Sequence, residues 1–203
     1  MSLQAATPRL ILASASSARQ GLLAAAGLVF ETRAAHIDEG EIKRSARAEG
    51  VSADETALLL AELKAHRVAR LNPEALVIGA DQLLVCEDRW FDKPADLAEA
   101  RAQLLALRGK AHMLVTAVVC QSGDQRVWHT IARPKLTMRS FSEGFLANYL
   151  QLEGTALLSS VGCYRLEGLG VHLFDRIDGE HSAILGLPML SLLGFLRQHG
   201  VIT

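Results

Sequence analysis

Apolar residues along this chain fall into short continuous runs separated by longer stretches of helical period. Residues 10–13 form a short apolar run and predict a buried strand. A serine-rich turn follows, with Ser16 or Ser17 placed to cap a helix that carries Leu22, Leu23 and Ala26 and stops at Gly27. Residues 28–33 predict a second strand, and the charged, aperiodic residues 35–49 predict a mobile loop. Residues 54–71 predict a long helix, because Leu58, Leu59, Leu63 and Val68 recur near helical spacing before Asn72-Pro73 breaks it. Residues 76–80 predict a buried strand ending at Asp81, with residues 83–87 continuing extended. Asp96 caps a predicted helix to Leu107, stopped by Gly109. Extended segments at 112–121 and 126–138 flank a Ser122-Gly123-Asp124 turn. Ser142 caps a helix to Gln151, and residues 161–177 predict strands interrupted by Gly168 and Gly170. Gly186-Leu187-Pro188 opens a last apolar helix to His199. Strands and helices alternate without repeats, linkers or low-complexity tracts, so the class is α/β or α+β in a single domain spanning residues 1–203.

Composition narrows the partners. Half of the 203 residues are hydrophobic, enough for a substantial core. The formal net charge of -1 leaves no basic excess, so a nucleic-acid partner is not expected. No basic-then-apolar leader opens the chain, and no run of about 18 uncharged apolar residues occurs, so neither a signal peptide nor a membrane partner is expected. Cys86, Cys120 and Cys163 are odd in number and widely spaced, which suits reduced thiols in a cytoplasmic protein. The seven histidines show no zinc-binding spacing.

Four elements carry candidate chemistry. A loop opening a helix presents unpaired N–H groups and the positive end of the helix dipole, which together favour phosphate. Ser14 and Ser16 add hydroxyls there and Arg19 adds a planar fork, although the spacing of a Walker loop is absent. Asp81, in Gly79-Ala80-Asp81-Gln82, follows a buried strand; such a carboxylate holds a divalent metal or orients a water, or else caps a turn. Lys64 and Lys93 each read alone as solvated surface lysines; with Arg19 they make a cationic set suited to a polyphosphate. Glu167 lies among apolar residues and glycines, where its acceptor oxygens suit the N1–H and amino group of a guanine.

Taken in order, these segments resemble the Maf-like family of nucleoside triphosphate pyrophosphatases nearly end to end. Leu10-Ile11-Leu12-Ala13-Ser14-Ala15-Ser16 resembles its L-I-L-A-S-x-S signature, and Asp38-Glu39 its acidic pair. Lys64-Ala65, Gly79-Ala80-Asp81, Lys93-Pro94, the segment 112–116 and Gly186-Leu187-Pro188 resemble further blocks. The resemblance implies an α/β fold with a mixed twisted sheet flanked by helices and two lobes around a cleft, as in Maf- and ITPase-like proteins. It implies hydrolysis of the α–β phosphate bond to a nucleoside monophosphate and pyrophosphate, with Mg2+ or Mn2+ as the divalent metal cofactor, and a homodimer. By the same resemblance Asp81 is catalytic, Asp81 and Glu39 are metal neighbours, and Ser14, Ser16, Arg19, Lys64, Lys93, Gln82 and Glu167 bind substrate.

Several positions depart from the family pattern. Ser17 and Ala18 stand where members carry proline and then arginine or tryptophan, and Gln20 where many carry a second arginine. Gln82 and Glu167-Gly168 resemble the branch that hydrolyses 7-methyl-GTP, whereas Ala18 lacks the aromatic that would stack on a cationic base. The alternatives are a dTTP/UTP pyrophosphatase, a nucleotide-binding regulator of cell division without turnover, and an interaction scaffold.

Overall fold

The computed structural model describes residues 3–203. They divide into two compact units. The first comprises the described residues up to Asp81, with Thr116–Ala132 and His181–Thr203; the second comprises Gln82–Val115 and Arg133–Glu180. Two long strands, β3 (Leu76–Cys86) and β5 (Ala111–Ser122), contribute residues to both.

In the first unit, β1 (Leu10–Leu12) pairs in parallel with β2 (Glu31–Thr32) on one side and with the start of β3 on the other. The end of β5 pairs with antiparallel β6 (Gln125–Ala132). Strand periodicity sends alternate side chains to opposite faces. Leu10, Leu12, Leu76, Ile78 and Ala80 join Leu23 of α1 (Ser17–Ala25) and Leu192, Phe195 and Leu196 of the last helix (Met189–Gln198) in one core. The intervening residues Gly79 and Asp81 face the other way, toward α3 (Ala53–Ala69). Ser52 starts α3 with a capping box closed by Glu55.

Three expectations for this unit change. Residues 35–49 are not a loop: α2 spans Glu39–Ala48 behind an Asp38 cap. Its sequence is dominated by charges and buries little beyond Lys43 and Ala46, so apolar periodicity gave no signal. The second strand shrinks to two residues. Asp81 lies within β3 rather than at its end, because the strand continues to Cys86.

In the second unit, the end of β3 pairs with antiparallel β4 (Arg89–Phe91), and the start of β5 pairs with β7 (Lys135–Met138), which pairs with β8 (Phe174–Asp178). Helices α4 (Leu97–Leu107) and α5 (Glu143–Glu153) begin at their expected caps, Asp96 and Ser142. The predicted strands of residues 161–177 are instead 3-10 turns at Val161–Cys163 and Leu169–Leu173, followed by β8. At Gly170 a Cβ would lie 2.5 Å from the Arg165 carbonyl oxygen, and such folding back of the backbone precludes an extended strand. Among the described residues no helix is long and apolar enough to cross a membrane.

Candidate active site

The loop after β1 and the helix it opens form the first wall. Ser16 caps α1 by accepting a hydrogen bond from the Arg19 backbone N–H at 3.4 Å. The Ser14 hydroxyl oxygen accepts from the Ser16 N–H at 3.2 Å and from Arg19 Nη1 at 3.1 Å. Arg19 also donates from Nη1 to the Ala80 carbonyl and from Nε to the Gly186 carbonyl, each at 3.1 Å. Three acceptors therefore orient the guanidinium on one side, and no described residue accepts from Nη2. Burial lowers the Arg19 pKa, while the charges of Asp81 and Glu39 oppose that shift.

The second wall is α3 laid against β3. A Cβ on Gly79 would meet the Ala61 carbonyl oxygen at 2.3 Å and the Ala65 Cβ at 2.8 Å. Only glycine admits so close a helix, and Ala61 and Ala65 keep the facing helix surface thin. This approach brings Lys64 against Asp81, which follows Gly79 by two residues on the same strand face. Lys64 Nζ donates to Asp81 Oδ1 at 2.6 Å and lies 2.7 Å from Glu39 Oε1. Lys64 and Asp81 are 7% and 3% exposed, so their charges must be matched locally. The other Asp81 oxygen, Oδ2, is buried and has no hydrogen-bond partner among the described residues.

The acidic pair divides its labour. Asp38 caps α2 by accepting from the Glu41 N–H at 2.9 Å, and Glu39 in the first turn reaches Lys64. Arg19 and Lys64 thus balance Asp81 and Glu39, giving a cluster with no net charge. One carboxylate oxygen without a partner beside a second carboxylate is a donor set that fits a hard divalent cation. Among the described residues no group of three or more histidine, cysteine or acidic residues is gathered as a ready-made metal cage.

Ser14, Ser16, Arg19, Glu39, Lys64 and Asp81 are therefore brought together in the first unit. Gln82, Lys93 and Glu167 belong to the second unit. Lys93 is exposed between β4 and α4, and the adjacent Asp92 carbonyl accepts from buried Gln103 Nε2 at 3.0 Å. Glu167 occupies an exposed turn rather than a strand, with Arg165 Nε at 4.0 Å. The backbone carbonyls of Ala80 and Gly186 were missed as functional groups, since no side-chain pattern marks a carbonyl; the Gly186-Leu187-Pro188 turn was the one available signal.

Residues 9–199 match the family model described as Maf-like protein. A nucleoside triphosphate pyrophosphatase of Granulibacter bethesdensis is 60% identical over 195 residues, 96% of this chain and 99% of that protein. A nucleoside triphosphate pyrophosphatase of Rhodospirillum rubrum is 50% identical over 98% of this chain and 99% of its own length. A 7-methyl-GTP pyrophosphatase of Rhizobium meliloti is 47% identical over 96% of this chain and 98% of its own length.

Proposed function

The chain belongs to the Maf-like family, and from that premise we propose that it is a nucleoside triphosphate pyrophosphatase, releasing pyrophosphate and a nucleoside monophosphate. The observation that carries the reading is Asp81: a buried carboxylate tethered through Oδ1 to Lys64, with Oδ2 lacking a partner among the described residues. The Lys64 contact holds the carboxylate through Oδ1, which leaves Oδ2 as the oxygen to accept a hydrogen bond from a water once substrate binds. In the reaction the water oxygen forms a bond to the α-phosphorus, and the bond from that phosphorus to the bridging oxygen breaks. The water proton passes to Asp81 Oδ2, and the departing pyrophosphate carries away the electron pair.

Charge accumulates on the bridging and pyrophosphate oxygens as that bond breaks. The free Nη2 edge of Arg19 and the Lys64 ammonium are the cations of the first unit that stabilise it. Ser14, Ser16 and the start of α1 add hydroxyl and backbone donors for phosphate oxygens. A cluster of zero net charge does not by itself neutralise a triphosphate, which supports a divalent cation, Mg2+ or Mn2+, held by Asp81 and Glu39. Such an ion supplies extra positive charge for the leaving group when bound.

The reading extends to a 7-methyl-GTP-like substrate, with Gln82, Lys93 and Glu167 as further substrate contacts. It is supported by the Gln82 and Glu167-Gly168 motif resemblance and by the Rhizobium relatives of that name, at 47% and 46% identity. The decisive assay is pyrophosphate release from a panel of 7-methyl-GTP, GTP, dTTP, UTP and CTP with Mg2+ or Mn2+. Release fastest from 7-methyl-GTP supports the base assignment, and release fastest from dTTP or UTP replaces it. Melting shifts with nucleotide but no release from any member would make the protein a regulator instead. Glu167→Gln should lower release from guanine-type substrates more than from pyrimidine ones; equal losses would remove Glu167 from base selection.

A further inference from the structure

Arg19 is oriented by a turn 167 residues away in the sequence. Its Nε donates to the carbonyl of Gly186, and that carbonyl can reach it only because Gly186 has no side chain. A Cβ there would lie 2.8 Å from Arg19 Nε and 3.3 Å from Nη2. Gly186 also holds a φ of +102°, a conformation that side-chain-bearing residues rarely adopt.

The turn itself is fixed by hydrogen bonds. The Gly186 N–H donates to the Ala183 carbonyl at 3.1 Å and the Leu187 N–H to the Ser182 carbonyl at 3.0 Å. The Met189 N–H donates to the Ser182 hydroxyl oxygen at 3.0 Å. The Ala183 carbonyl takes a second bond, at 2.9 Å, from the hydroxyl of Thr116, a fully buried residue of β5. Core strand, turn and arginine are thereby connected in series: Thr116 to Ala183, Ala183 to Gly186, Gly186 to Arg19.

We propose that Gly186 and Thr116 are positioning residues for Arg19: Gly186 supplies the acceptor and the empty Cβ position, and Thr116 anchors the turn that carries it. This rests on the reading that Arg19 holds phosphate oxygens. A guanidinium binds phosphate through a planar fork, so its value depends on orientation as well as charge. A displacement of about 1 Å at such a group lowers catalysis by as much as ~100-fold. Each acts through Arg19.

The test is a set of double-mutant cycles on the full-length protein. Gly186→Ala, Thr116→Val and Thr116→Ser are each made alone and in an Arg19→Ala background. Pyrophosphate release from the best triphosphate of the panel and calorimetric binding of inorganic pyrophosphate are both measured. Gly186→Ala should lower kcat/KM by ~10-fold or more, and Thr116→Val by a smaller factor, each weakening pyrophosphate binding in step. Thr116→Ser keeps the hydroxyl and should restore near wild-type values. In the Arg19→Ala background neither Gly186→Ala nor Thr116→Val should cost anything further, since the group they position is gone. If Gly186→Ala does not fold, the Thr116→Val and Thr116→Ser pair decides. Losses that persist at full size without Arg19, or single variants equal to wild type while Arg19→Ala is impaired, overturn the inference alone. Wild-type protein inert toward every triphosphate overturns the functional reading, and this inference with it.

Discussion

Each unit buries a polar pair, and the two pairs are treated in opposite ways. In the first unit Lys64 and Asp81 form a contact at 2.6 Å with Glu39 alongside, and Asp81 Oδ2 lacks a partner among the described residues. In the second unit His112 Nε2 lies 2.8 Å from the Tyr164 hydroxyl, and the two rings pack with Phe174. There too an atom is left over, His112 Nδ1, buried without a hydrogen bond among the described residues. Burial alone lowers the His112 pKa from 6.5 to about 4, because no carboxylate compensates the loss of solvent. The lesson is that burial without countercharge keeps a titratable group neutral and makes it a packing element. Burial with matched charges instead pairs the groups and leaves one carboxylate oxygen suited to chemistry.

The sharpest way to break this comparison is at Asp81. Asp81→Asn should lower pyrophosphate release by ~10²–10⁴-fold while calorimetry still detects nucleotide binding; full activity would remove Asp81 from the mechanism. Lys64→Met should strip the countercharge from Asp81 and Glu39 and cost ~3–5 kcal/mol in urea denaturation at neutral pH. The neutral pair predicts an acid effect instead. The unfolded chain protonates His112 near 6.5 while the folded protein resists until about 4, so stability is full above 6.5 and declines as the pH falls toward 4. The decline is on the order of 3 kcal/mol, and His112→Gln should flatten that part of the stability profile. The smallest of these effects is expected for Gly79→Ala, whose Cβ must push α3 from β3: ~1–3 kcal/mol of stability, with a fall in turnover as Lys64 shifts from Asp81. Unchanged turnover there would show that the helix approach does not set the ion pair.

Much of this molecule was legible in its residues. Short apolar runs marked β1 and the start of β3, and Asp96, Ser142 and the serines before Arg19 marked helix starts, because caps and buried strands are local signals. The candidate site residues were named from residue type and motif. Two kinds of feature stayed hidden. Helix α2 hides its pattern behind charges that serve an ion pair and a cap, so periodicity misassigns it. The turn around Glu167 is set by Gly170 backing onto Arg165, a contact that no alternation of side chains encodes.

Residue identities alone fix which positions carry charge, where helices are capped, and which motifs resemble a family of phosphate chemistry. Three-dimensional packing brings Lys64 between Asp81 and Glu39, leaves Asp81 Oδ2 without a partner among the described residues, and sets the carbonyls of residues 80 and 186 against Arg19. The reason is physical: caps and periodicity act within a few residues. Ion pairing and backbone acceptance instead depend on which distant segments approach, and at Gly79 and Gly186 that approach is governed by the absence of a side chain.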